Sequence, residues 1–310
     1  MNLREKIQWG YLQFIKYHFP FLWCKHLYKI SLGKVTNFSK PKDINEIIQW
    51  LSFYTDTSLW TTLADKYGVR KYVEEHVDEN ILVPLIGKWN KIDDIHFDNL
   101  PNKFVLKPNN GCYDNIIVED KNKVNFDEIR QKLDLSLKHR FGFENAEPHY
   151  LKIKPCIMAE QLLETNEEGG LKDYKIWCFN GKPHSILLCT NRDKISGHSD
   201  LMAYDLLWNR HPEWLSSSFR NESTCVKPNK LEDMLKIASK LSANIPQVRV
   251  DLYCIHEKIY FGEMTFSSNF GMMPYYTEDF LIEMGNQCVL PKRLFFEKIK
   301  TFFKRWTPLL

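Results

Sequence analysis

The chain has 310 residues, 44% of them hydrophobic and 26% charged, enough for a large core in more than one lobe and unlike a disordered or fibrous chain. A net charge of +3 is too small to indicate a nucleic-acid partner, and no strand interleaves aromatic with basic residues as an RNA-binding strand does. None of the eight cysteines sits in a CxxC pair or at zinc spacing with His, so they read as reduced thiols of a cytoplasmic chain.

Residues 1–60 read as helical, with DINEIIQWLSFY an amphipathic segment after the Lys40-Pro41 break. No run reaches membrane-spanning length, and Lys16 and His18 interrupt the first apolar stretch, so no signal-peptide pattern is present. TTLADKYGVRKYVEEHV predicts a helix over 61–77 with Thr62 or Asp65 as its cap. ILVPLIGKW, 81–89, predicts a short buried strand, and FVLKPNNGCYDNIIVED, 104–120, strand, polar loop and strand. NFDEIRQKLDLSLKHRFG predicts a helix and CIMAEQLL, 156–163, a strand. DYKIWCFNGKPHSILLCTNR, 173–192, predicts a hairpin turning at Asn180-Gly181, and KLEDMLKIASKLSANI a helix. Residues 193–230 show no clear pattern; Trp208, His211 and Trp214 there suit either acceptor contact or a packed loop.

RVDLYCIHEKIYFGEMTFSS, 249–268, predicts two strands joined by a turn, with Arg249, Asp251 and Tyr253 on one face. A three-residue loop, His256-Glu257-Lys258, would set Asp251 opposite Glu263, whereas a two-residue loop would put them on opposite faces. Facing carboxylates suit Mg²⁺ shared with phosphates; the same residues also fit an exposed hairpin in which Arg249 neutralises both acids. Other constellations read similarly. Lys107 ends a strand and opens a polar loop with one glycine, Gly111, which suits a phosphate or plain solvent. Lys66 lies near a helix start. Asp173 and Lys175 share a strand face with Arg192 on the return arm, either gripping a phosphoryl group or forming a salt bridge. Glu160, Gln161, Leu162 and Leu163 suit either an adenine-covering strand end or an ordinary one.

Taken in order, LADKYGVRKYV, LPNKFVLKPNNG with DNIIV, IMAEQLLE, DYKIWCFNGKPH, VRVDLY and IYFGEMTF resemble the TupA-like ATP-grasp family, named for a protein of teichuronopeptide synthesis. The resemblance covers roughly residues 40–290. It implies an α+β ATP-grasp fold whose two lobes clamp ATP, with an N-terminal helical region and a C-terminal amphipathic helix. The implied division is 1–60 helical region, 61–100 linker lobe, 101–163 small lobe, 164–291 large lobe and 292–310 basic tail. By resemblance Lys66 and Lys107 hold phosphates under the loop from Asn109 to Asn115, and Glu160, Gln161 and Leu163 form the adenine hinge. Asp173 lies among the nucleotide-binding positions. Lys175 and Arg192 face the γ-phosphate and the acceptor carboxylate, Arg249 stands beside the acyl-phosphate, and Asp251, Glu263 and Thr265 take the magnesium positions. Many relatives carry Glu-x-Asn where this chain has Glu263-x-Thr265, and a loop richer in glycine. The family implies an ADP-forming carboxylate–amine ligase joining a small amine to a uronic-acid carboxyl of a cell-surface glycan. The alternatives are an ATP-grasp phosphotransferase and a non-catalytic nucleotide- or glycan-binding module.

Both ends carry Lys and Arg among aromatics. In 292–310, Ile299, Phe302, Phe303 and Trp306 recur at helical spacing, and the first thirty-odd residues have little acid. Such segments suit peripheral contact with an anionic membrane face or packing on the body.

Overall fold

The computed structural model describes residues 3–112, 114–193 and 199–294. The expected tail helix over 292–310 therefore lies, from residue 295 on, outside the described residues. The described strands form two antiparallel sheets, and the α+β expectation holds.

The chain begins with two helices, α1 (Leu3–His18) and α2 (Pro20–Leu32), the second closed by Gly33 in the left-handed conformation. Helix α3 (Ile44–Tyr54) follows. Its Asp43 cap accepts from the Glu46 amide, and the Glu46 carboxylate accepts in turn from the amides of Asn37 and Lys42. These bonds let an almost wholly buried helix keep a carboxylate inside.

The helix expected over 61–77 is two helices, α4 (Ser58–Ala64) and α5 (Val69–His76). The backbone turns extended at Asp65, whose carboxylate accepts from the Tyr67 amide and the Asn109 side chain. The Lys66 amide donates to the Asn109 carbonyl. These bonds to another segment outweigh local helix propensity.

The smaller sheet has strand order β1 (Leu85–Trp89), β4 (Ile157–Gln161), β2 (Phe104–Pro108), β3 (Ile116–Val118). The strand expected over 81–89 starts only after Pro84 and runs along the sheet edge, partly exposed rather than buried. Helix α6 (Phe126–Lys138), capped by Asn125, covers one face. There Phe104, Leu106, Val118, Ile157 and Ala159 meet Ile129 and Leu133, and each large side chain so buried contributes about 1.5–3 kcal/mol. The other face carries Lys107 and Glu160.

The larger sheet has order β7 (Asp200–Tyr204), β6 (Lys182–Thr190), β5 (Asp173–Phe179), β8 (Val248–Ile255), β9 (Lys258–Thr265). Asn180 and Gly181 turn β5 into β6 with positive φ, as expected of Asn-Gly. Helix α7 (Leu231–Leu241) packs on its apolar face, where Ile176, Cys178, Val248 and Val250 are buried. The segment without a sequence pattern supplies edge strand β7. Its aromatics are packed: Trp208 stacks on Tyr204, and Trp214 lies between His211 and Phe280 of α8 (Glu278–Gln287). All eight cysteines are free thiols.

Candidate active site

The polar face of the larger sheet is set by register. Lys175, Asp251 and Glu263 form one rung across β5, β8 and β9, and Trp177, Arg249 and Thr265 form the next. Asp251 does face Glu263, but not through a three-residue loop. The turn has two residues, His256 and Glu257, both with positive φ, and Ile255 pairs with Lys258. That geometry alone would leave the acids on opposite faces. A bulge at Gly262 restores the match by inserting one residue into β9. A Cβ there would stand 2.9 Å from the Asp251 carbonyl oxygen, so only glycine fits without moving backbone.

Asp251 is buried and bound on both sides. Arg249 donates to it through two nitrogens, at 2.7 and 2.8 Å, a bidentate pair. Lys175 donates to its Oδ2 and lies 2.6 Å from Asp173. Burial pushes the Asp251 carboxyl up, against the pull of these two cations. The same burial disfavours charge on Lys175, yet Asp173 and Asp251 hold its ammonium charged far above the ordinary range. Arg192 is more exposed and donates to Asp173 at 3.2 Å. Arg249 also donates to Thr265 at 3.1 Å and to Ser268, whose hydroxyl lies 3.1 Å from that of Tyr275. Ser268 and Tyr275 escaped sequence reading because they lie past the strand in an irregular turn.

Glu263 is the open member of the set. Burial would raise its carboxyl, but Lys66, Lys175, Arg249 and the Thr265 hydroxyl outweigh it and hold the group at about 2. Thr265 donates to it at 3.1 Å, Arg249 stands 3.5 Å away and Lys66 3.9 Å. The neutralising role weighed for Arg249 thus describes the geometry as it stands. The donor set still fits a magnesium ion: Glu263 has lone pairs to spare, and Asp251 Oδ1 accepts a single hydrogen bond. Thr265 has its hydroxyl committed to Glu263 and is the weakest of the three.

The smaller sheet holds a cluster of its own. Glu160 receives Lys107 at 2.6 Å and Arg70 at 2.9 Å. Glu160, expected at the adenine hinge, lies on a strand flanked by β1 and β2, and its side chain holds these two cations. The sheet ends at Gln161, exposed, followed by Leu162 and Leu163, partly buried. Lys66 donates to the carbonyl of Gly111, whose φ is +100°. Tyr113 of the same loop lies outside the described residues. The segment Asp65–Arg70 therefore ties the loop, the smaller sheet and Glu263 together.

Beneath the site lies a cluster absent from the sequence reading. Glu147 and His149 are buried against Ser267, which donates to Glu147. Burial raises the Glu147 carboxyl to about 8 and lowers the His149 imidazole to about 3, so both are neutral at pH 7. Nothing in the irregular run 139–153 signals this.

The family model described as TupA-like ATPgrasp matches residues 46–288. No curated protein matches the chain. Among solved structures, a D-alanine–D-alanine ligase from Bacillus anthracis complexed with ATP is 17% identical, covering 73% of this chain and 62% of that one, with a TM-score of 0.39. An L-amino acid ligase from Bacillus licheniformis is 14% identical over 71% of this chain and 48% of that one, TM-score 0.45. A D-alanine–D-alanine ligase from Helicobacter pylori is 15% identical over 81% and 70%, TM-score 0.42. The chain thus spans less than two thirds of the first two ligases.

Proposed function

Because the chain belongs to the TupA-like ATP-grasp family, we propose that it is an ADP-forming carboxylate–amine ligase. One observation carries this reading: the segment that brings Lys66 to within 3.9 Å of Glu263 also sends Arg70 to join Lys107 at Glu160, and Arg249 reaches both Asp251 and Glu263. That is the charge layout a triphosphate with a divalent ion requires.

A carboxylate is a poor electrophile because its leaving group would be oxide. In the proposed reaction its oxygen attacks the γ-phosphorus of ATP, the bond to the β-bridging oxygen breaks, and ADP leaves. An amine then attacks the acyl carbon, the ammonium proton is lost, and phosphate departs as the amide forms. Lys66 and Lys107 hold the ATP phosphates, Lys107 exchanging its bond to Glu160 for one to phosphate. Arg249 and Lys175 stabilise the oxyanion and the departing phosphate. Asp251 fixes both cations in place, and Glu263 with Asp251 would hold magnesium. That ion, when bound, offsets charge on the β- and γ-phosphates. No protein nucleophile is needed; catalysis comes from positioning.

For the acceptor we infer a uronic-acid carboxyl of a cell-surface glycan or its precursor, and for the donor an amino acid or similar amine. The family's association with teichuronopeptide synthesis supports this choice. The test incubates the protein with ATP, Mg²⁺, uronic-acid oligosaccharides and an amine pool. ADP release that needs both carboxylate and amine, with an amide product by mass spectrometry, is the expected result. ADP release without any amine makes the protein a phosphotransferase. Nucleotide binding without turnover makes it a binding module, the reading favoured by the closure of Asp251 by Arg249 and Lys175.

A further inference from the structure

The N-terminal hairpin is unlike the rest of the surface. Ile7, Tyr11 and Phe14 of α1 are 65%, 62% and 54% exposed, and their i, i+4, i+7 spacing makes one stripe along the helix. Trp9 is exposed on the opposite side, and Phe19, Leu22 and Ile30 continue the apolar surface around α2. The hairpin is nonetheless anchored. Lys16 pairs with Glu144, Trp23 Nε1 donates to the Glu144 carbonyl at 2.7 Å, and Phe21 packs on Phe38, Phe53 and Tyr54. An apolar stripe on a firmly held element marks an interaction surface rather than a frayed end.

Charge identifies the occupant. Residues 1–42 contain eight Lys and Arg and a single acid, Glu5. Since the whole chain has 42 Lys and Arg against 39 Asp and Glu, the remaining residues are acidic overall. A second copy of this chain would bring the same positive charge to the same surface and repel it. The chain also returns to this side: the Leu294 amide donates to the Tyr54 carbonyl at 2.9 Å, and the Arg293 guanidinium lies 3.9 Å over the Tyr54 ring. The basic, aromatic sequence from 292 on thus starts beside α2. No helix among the described residues is long and apolar enough to cross a membrane.

We propose that the α1–α2 hairpin docks on an anionic lipid bilayer. Ile7, Tyr11 and Phe14 enter the headgroup boundary while Lys and Arg meet lipid phosphates, and the acidic body is held away from the surface. This rests on the hairpin alone and is independent of the reaction proposed above.

The test is co-sedimentation of the full chain with vesicles of phosphatidylcholine, with and without phosphatidylglycerol. Binding about tenfold tighter to the anionic vesicles, weakened by salt, is expected. The triple variant Ile7→Ser, Tyr11→Ser, Phe14→Ser should lose about tenfold in vesicle binding while its melting temperature and nucleotide binding stay unchanged. Lys6→Glu with Lys29→Glu should reduce binding to anionic vesicles only. Equal binding to both vesicle types would overturn the proposal, as would triple-variant binding equal to that of the unmodified chain. So would a dimer that the triple variant dissolves, with no vesicle binding by either form; the stripe would then be a contact between copies.

Discussion

The two sheets each place one buried carboxylate between two cations, yet the results differ. In the smaller sheet Glu160 binds Lys107 from the neighbouring strand and Arg70 from α5. With Lys66 nearby, that side holds three positive groups against one negative. In the larger sheet Asp251 binds Arg249 and Lys175, but Asp173 and Glu263 stand in the same cluster and cancel them, with Arg192 at the rim. The comparison teaches a division of labour: one sheet presents surplus positive charge for an anion, while the other balances itself and leaves Glu263 open for a divalent ion.

The largest expected effect tests the balanced side. Lys175→Met removes the cation shared by Asp173 and Asp251 and leaves buried charge uncompensated, so it should cost about 3–5 kcal/mol in denaturant unfolding. The matching change on the other side, Lys107→Ala, should be far milder in stability because Arg70 still holds Glu160. Equal losses would break the comparison. Next, Glu263→Gln should lower kcat about 10²–10³-fold in an ADP-release assay, with a smaller loss of stability than Lys175→Met because the group is more exposed than Lys175. Lys107→Ala should raise the KM for ATP about tenfold with kcat little altered, the signature of a phosphate anchor.

A further test concerns pH. Glu147 titrates at about 8 in the folded chain, above its unfolded value, so its contribution is complete below the unfolded value near 4.5 and is lost as pH rises toward 8. Glu147→Gln should flatten that part of the stability profile in thermal melts. His149 acts in the opposite sense, its contribution being lost as pH falls from about 6.5 toward 3. A Glu147→Gln profile still falling between about pH 4.5 and 8 would assign the slope elsewhere.

Much of the site could be read in the sequence because strand alternation and turn chemistry are local. Arg249 and Asp251 on one face, Asp173 beside Lys175 and the Asn180-Gly181 turn follow from neighbours in the chain. What escaped reading depends on distant partners. The break at Asp65 exists because Asn109 binds it, and Glu160 takes its role from Arg70, 90 residues away. Glu147 is neutral only because the burial around it outweighs the hydroxyl that Ser267 donates to it. Strand β7 went unread because its alternation is cut short by the aromatic loop that follows.

The bulge at Gly262 has a consequence for how this hairpin can change. The bulge takes up the one residue by which β9 is too long for its two-residue turn, and so decides which way Glu263 points. Gly262→Val, which would press a side chain on the Asp251 carbonyl and force the strand toward plain pairing, should swing the carboxylate to the α7 side and silence the protein. Removing residue 262 altogether should instead leave Glu263 opposite Asp251, since Phe261 and Glu263 already pair with Leu252 and Asp251. At this point β9 thus tolerates a glycine or a gap, and little between.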